Sequence, residues 1–238
     1  MIKCEKLSFA YDKDADILKN ITFSVGKGER VGIIGANGAG KSTLLRILFG
    51  LEKDYGGTVM VGGLKVEKKN YPVIRKTAGY MFQDSENQLF MPTAREDVSF
   101  ALINYGYDEK YITEKTIAAM DAVGIADIAD KPTWKMSGGE KKLVCIAVML
   151  AAEPDILVMD EPTNSLDPYN RKRLIDTVNA LDKTTLIASH DLDMILDTCN
   201  RAILLSDGEI AADGKTRDIL TDKELLERHR LLLPLSCR

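Results

Sequence analysis

Val31-Gly32-Ile33-Ile34-Gly35-Ala36-Asn37-Gly38-Ala39-Gly40-Lys41-Ser42 decides the fold. Val31 to Ile34 reads as a short buried strand, and residues 35–42 fit the pattern G-x-x-x-x-G-K-[ST]. A helical pattern then starts near Lys41 and continues through Leu44 to Phe49. Strand, glycine-rich loop and helix in that order make a phosphate cradle. Gly35, Gly38 and Gly40 permit positive φ angles that turn N–H groups inward. Ala36, Asn37 and Ala39 complete the loop, and the helix N-terminus adds positive partial charge. Lys41 is placed to reach the β and γ phosphates, Ser42 to ligate Mg²⁺ and Thr43 to touch the α phosphate. The plainer alternative is a glycine-rich turn with an incidental lysine, but strand, loop and helix in register weigh against it. The motif indicates a nucleoside triphosphate and does not separate kinase, GTPase and ATPase.

Outward from this loop, short apolar runs alternate with helical stretches, as in an α/β protein with a mostly parallel sheet. Ile156 to Met159, Thr185 to Ala188 and Ala202 to Leu205 read as further strands, the first two apolar enough to be covered on both faces. Asp207-Gly208 marks a hairpin turn. The first 25 residues and Gly57 to Met81 alternate apolar and polar residues, which predicts a smaller antiparallel sheet. Residues 93–130 carry helical periodicity, predicting an inserted helical subdomain, and the tail from Asp222 reads as a charged amphipathic helix. The expected organisation is one domain over 1–238. Residues 1–92 and 153–220 form its core, 93–152 the helical part and 221–238 the tail.

Composition narrows the function. Lys and Arg total 32 against 36 Asp and Glu, a formal net charge of −4 that gives no general reason to expect nucleic acid as partner. Cys4, Cys145, Cys199 and Cys237 are far apart and form no CxxC, so neither a zinc site nor a disulfide framework is indicated. Free thiols fit a reducing cytoplasm. The N-terminal residues lack a signal-peptide pattern. The longest apolar run, Leu143 to Ala152, is about half of the ~20 residues needed to cross a bilayer.

Two further motifs bear on chemistry. Asp160-Glu161 closes the strand at 156–159, and adjacent acids leaving a buried strand are costly unless compensated. Asp160 fits a Mg²⁺ ligand and Glu161 the base that orients or deprotonates an attacking water. The alternative is a strand-end turn with solvated acids. Ser137-Gly138-Gly139-Glu140 precedes an apolar helix and reads first as a capping box, with Ser137 as N-cap and Glu140 at N3. A capping box needs no glycines. Gly138 and Gly139 strip the first turn of side chains, so a phosphate could approach its N–H groups.

The cradle at 35–42, Ser-Gly-Gly-Glu at 137–140, Asp-Glu-Pro-Thr at 160–163, Ser-Leu-Asp at 165–167 and Ser-His-Asp at 189–191, in this order, resemble the nucleotide-binding subunits of ABC transporters. The resemblance spans Met1 to about Leu220. It implies an ABC ATPase fold with a P-loop core, and a head-to-tail dimer holding two ATP molecules. Each ATP would take its cradle from one subunit and Ser137, Gly138, Gly139 and Glu140 from the other. By the same resemblance Tyr11 looks like the aromatic that stacks on adenine; the alternative is a surface-strand tyrosine. Gln83 looks like the glutamine that touches Mg²⁺ and water. His190 looks like the histidine that contacts the γ phosphate, and Asp167 like the residue that crosses the dimer interface. Glu161, His190, Lys41 and Gln83 would then be the catalytic set, and Ser42, Gln83 and Asp160 the metal set.

A narrower likeness joins Phe82 to Phe90, Pro92-Thr93 and Glu96 to Phe100 to the ATPases of energy-coupling-factor importers. It implies a peripheral subunit on the cytoplasmic face of the cell membrane. That subunit would pair with a copy of itself or a related ATPase. It would dock on a transmembrane coupling component and serve a separate membrane protein that captures cobalt, nickel or a vitamin. Other ABC importers or exporters, and soluble ABC ATPases acting on nucleic acid or ribosomes, are the alternatives. Two departures stand out: Leu143 replaces the usual Arg, and the chain stops at Arg238 where many of these ATPases continue.

Overall fold

A computed structural model describes residues 1–12, 16–84 and 88–238. Two compact units emerge. One comprises Met1–Ala78, Asp155–Glu161 and Asp182–Arg238, the other Gly79–Pro154 and Pro162–Leu181. The motif-based boundaries differ from these: residues 79–92 and 162–181 group with the helical unit.

The first unit holds an antiparallel sheet of β1 (Ile2–Ala10), β2 (Asp16–Val25), β4 (Gly56–Val61) and β5 (Leu64–Lys65), in the order β2-β1-β4-β5. On β1 the buried face runs Ile2, Cys4, then Leu7, Phe9. The extra residue is absorbed by a register shift between Cys4 and Leu7, with Lys6 at φ 51°. The expected strands up to Met81 only partly form. Residues after β5 coil into a 3-10 turn and then α2 (Tyr71–Thr77), which Pro72 helps to start, and β6 (Ala78–Met81) does not join this antiparallel sheet.

The second sheet of this unit contains β3 (Arg30–Ile34), β7 (Ile156–Asp160), β8 (Thr184–Ala188), β9 (Arg201–Ser206) and β10 (Glu209–Lys215), in the order β10-β9-β3-β8-β7. β3 lies parallel between β8 and β9, and β10 returns antiparallel from β9 through the Asp207-Gly208 turn. Val31, Ile33 and Ile34 have no exposed surface. Asp160 pairs with Ala188, and the Ser189 N–H donates to the Ile33 carbonyl at 3.1 Å. The register therefore delivers the segments after β3, β7 and β8 to one end of the sheet, where ligands bind in α/β folds. α1 (Lys41–Leu48) follows the loop after β3, and α7 (Leu192–Thr198) follows Asp191, whose carboxylate caps it at 2.9 Å. The tail from Asp222 is helical only at its start: α9 (Lys223–Arg228) is capped by Asp222 and is short, and α8 (Thr216–Leu220) precedes it.

The helical unit contains α3 (Ala94–Asn104), α4 (Glu109–Val123), α5 (Gly138–Ala151) and α6 (Pro168–Ala180). The longest apolar run lies in α5, whose Leu143, Val144, Cys145, Ile146 and Ala147 are buried. Among the described residues no helix is long and apolar enough to cross a membrane. The cysteines remain thiols, and burial pushes Cys4 and Cys145 up to about 12.

Candidate functional site

The loop after β3 is shaped by its glycines. Gly35 sits at φ 154°, and a Cβ there would lie 2.2 Å from the Leu205 carbonyl oxygen of β9. Only glycine lets the chain leave β3 this close to its neighbour. Gly40 is the N-cap of α1 and provides no side-chain cap, so the first N–H groups of the helix stay open to an anion. Lys41 is 7% exposed, and its Nζ donates to the carbonyls of Gly35 at 2.7 Å and Ala36 at 3.1 Å. Burial holds this ammonium below the usual lysine range, while the charges of Glu161 and Asp160 oppose that shift. The lysine and both acids thus act on one another across the sheet end.

Asp160 and Glu161 are 1% and 5% exposed. Glu161 takes a left-handed backbone, φ 49°, and its N–H donates to the Ala188 carbonyl at 2.8 Å. Its carboxylate is oriented by the segment after β8. Ser189 Oγ donates to Oε2 at 3.0 Å, and the His190 N–H reaches Oε1 at 3.1 Å. His190 Nδ1 lies 2.8 Å from Oε2, while most of the imidazole remains solvent-accessible. The alternative, a strand-end turn with solvated acids, is therefore not what forms. A buried carboxylate with three fixed donors can receive a proton from a directed position.

Tyr11 stands beside the same loop. Its hydroxyl lies 3.3 Å from Thr43 Oγ1 and donates to Glu52 Oε1 at 3.1 Å, and its ring meets Phe9 edge-on at 4.9 Å. Tyr11 is 52% exposed, which leaves it accessible next to the cradle.

Within the helical unit Ser137 and Glu140 complete the capping box. Ser137 Oγ accepts from the Glu140 N–H at 3.2 Å, and the Ser137 N–H donates to Glu140 Oε2 at 2.7 Å. Lys131 Nζ bonds the same carboxylate at 2.7 Å, and this contact leads the causes that hold Glu140 below the ordinary range. Gly139 also has a packing reason: a Cβ there would lie 3.1 Å from the Ser165 carbonyl oxygen. Asp167 caps α6, accepting from the Tyr169 and Asn170 N–H groups, both at 2.9 Å, and from Asn170 Nδ2. Gln83 is exposed, and its carbonyl accepts from Lys142 Nζ at 2.7 Å. Ser85, Glu86 and Asn87 of the narrower likeness lie outside the described residues.

Sequence reasoning did not single out Ser189, Gln88 or Lys142. Gln88 holds the segment before Gln83, accepting from the Phe82 N–H at 3.1 Å and donating to the Tyr80 carbonyl at 3.4 Å. A lysine at the start of the apolar run in α5 was the available signal for Lys142.

Residues 18–164 match the model of the ABC transporter family. The chain belongs to the ABC transporter family. Members of this family are ATP-binding subunits that hydrolyse ATP, and this ABC ATPase is one of them. The energy-coupling factor transporter ATP-binding protein of Methanocaldococcus jannaschii is 36% identical over 239 residues, covering 98% of this chain and 86% of that one. Other relatives, at 40–45% identity, carry only the general name of ABC transporter ATP-binding protein. Among solved structures, cbiO1 from Clostridium perfringens, part of the ABC transporter complex cbiONQ, superposes with a TM-score of 0.82 at 33% identity, covering 95% and 93% of the two chains. The ATP-binding cassette MJ0796, solved as a dimer with ADP and phosphate, gives a TM-score of 0.83 at 27% identity, covering 91% and 99%.

Proposed function

We propose that this ABC ATPase is the energy-coupling subunit of an importer of energy-coupling-factor type. It hydrolyses MgATP to drive uptake of cobalt, nickel or a vitamin through a separate membrane protein. The observation that carries the catalytic reading is the Glu161 carboxylate, buried within the electrostatic reach of Lys41 and aimed by Ser189 and His190. Glu161 orients and deprotonates a water that attacks the γ phosphorus in line, while Lys41 and the open N-terminus of α1 hold the developing charge. His190, whose Nδ1 faces Glu161 at 2.8 Å, presents its other ring nitrogen to a γ-phosphate oxygen. Tyr11 stacks on the base, and residues 35–43 cradle the phosphates.

The donor set fits a divalent cation. A polyphosphate entering the loop meets two buried carboxylates, Asp160 and Glu161, that one lysine does not neutralise. Among the described residues no group of three or more His, Cys, Asp or Glu gathers as a stand-alone metal site. Magnesium binds through few protein ligands plus phosphate oxygens, and Ser42, Asp160 and Gln83 are the residues that would hold it. When bound, it would supply positive charge that offsets the charge developing on the phosphate oxygens.

Ser137, Gly138, Gly139, Glu140 and Asp167 act on the ATP of a partner subunit, either a second copy or a related ATPase. The dimeric cassette among the structural neighbours supports this, and the energy-coupling and cbiO relatives support a peripheral site on the cytoplasmic face of the membrane. Affinity purification from native membranes tests the reading. Integral membrane proteins should co-purify, and the complex reconstituted in vesicles should couple phosphate release to uptake of labelled cobalt, nickel or vitamin. Recovery of ribosomes or nucleic acid instead would reject it.

A further inference from the structure

Lys142 is 2% exposed in α5, followed by the buried Leu143, Val144 and Cys145. A buried ammonium is costly unless its donors are used. Its Nζ donates to the Gln83 carbonyl at 2.7 Å and lies 3.4 Å from the Phe82 carbonyl. The same segment is also held by Gln88, which bonds the Phe82 N–H and the Tyr80 carbonyl. The carbonyls of an irregular segment ask for a donor. Lys142 thus grips the peptide of Gln83 from the helix that Ser137, Gly138 and Gly139 begin.

We propose that Lys142 is a positioning residue: it fixes the main chain at Gln83, so that this side chain is presented from one place and moves together with the start of α5. The proposal rests on the reading of Gln83 as the residue that contacts Mg²⁺ and water. A displacement of about 1 Å in such a group can cost up to about 100-fold in rate.

The test uses the purified full chain, with steady-state phosphate release measured across a magnesium titration and ATP affinity measured with a fluorescent analogue. K142M should lower kcat by about 10- to 100-fold and raise the magnesium concentration for half-maximal rate. Analogue affinity should stay within about 2-fold of wild type, since Lys142 acts through the Gln83 main chain. K142Q keeps a hydrogen-bond donor and should recover part of kcat. In a Q83A background either substitution should cost little more, because both act through one group. If Q83A slows turnover while K142M and K142Q do not, the proposal falls and the reading of Gln83 stands. If Q83A turns over like wild type, both fall. Where K142M does not fold, K142Q carries the test, and rate losses for K142Q and Q83A that simply multiply overturn the proposal.

Discussion

Glu161 concentrates the residue-scale argument. Its position at the end of a fully buried strand, with a left-handed backbone and Ser189 and His190 on its carboxylate, is expensive to build. E161Q keeps size and shape and removes the proton acceptor. It should lose about 10²- to 10⁴-fold in phosphate release while still binding ATP. Filter binding alongside a phosphate-release assay checks this, and near-normal turnover would remove Glu161 from the general-base role. The cradle makes a different demand. At Gly35 a methyl group would sit 2.2 Å from a backbone oxygen that has nowhere to go, on a backbone at φ 154°. G35A should therefore weaken nucleotide binding as well as turnover, because the first turn of the loop must open away from β9. A fluorescent ATP analogue that binds G35A as tightly as wild type would contradict this account of the loop.

At the scale of elements, the sequence was most legible where two local signals agreed. β3, β7, β8 and β9 are short apolar runs bounded by turn residues, and all four formed where read. The capping box at Ser137 formed as well, because its partners are only three residues apart. Signals that depend on distant neighbours were not legible. The alternation before Met81 continues past β5, yet Pro72 and the surrounding packing turn residues 71–77 into α2. α6 and α7 were not read from the pattern: each begins directly after a motif whose last residue, Asp167 or Asp191, is its N-cap. The donors on Glu161 were half legible: Ser189 and His190 stand in the motif, but their turn toward Glu161 follows from the pairing of Asp160 with Ala188. One prediction belongs to this scale. The ion pair with Lys131 is the main reason the Glu140 carboxyl lies below its ordinary range, so the folded state binds the proton more weakly than the unfolded chain does. Such a group stabilises fully above the unfolded pKa of about 4.3, and the contribution is lost as pH falls through the folded value. E140Q retains the capping geometry and lacks the charge. It should be less stable than wild type by about 0.5 kcal/mol at pH 7, with the gap closing below about pH 4. Urea unfolding at both pH values measures it, and a gap that persists in acid would assign the effect to the cap rather than the charge.

At the scale of the whole molecule, the two halves of the proposed chemistry belong to separate stretches of chain, and a two-copy sandwich makes a sharp demand on how defects combine. Each copy carries a formal charge of −4, so net charge gives two copies no reason to associate, and the attraction must come from local groups facing shared nucleotide. Lys41 belongs to the cradle and Ser137 to the cap at the start of α5. K41A should destroy the cradle and leave the cap, while S137R should block the cap and leave the cradle. Each variant alone should release little phosphate, because each homodimer has two defective sites. Mixing them creates dimers in which the sound cradle of one copy faces the sound cap of the other, so one site in each mixed dimer is whole. Phosphate release should therefore reappear on mixing and rise with total protein concentration, as a second-order association requires. Circular dichroism establishes that both variants are folded before they are combined. Two folded variants that stay inactive together at every ratio would show that this chain does not complete its own site, leaving a related ATPase as the partner that does.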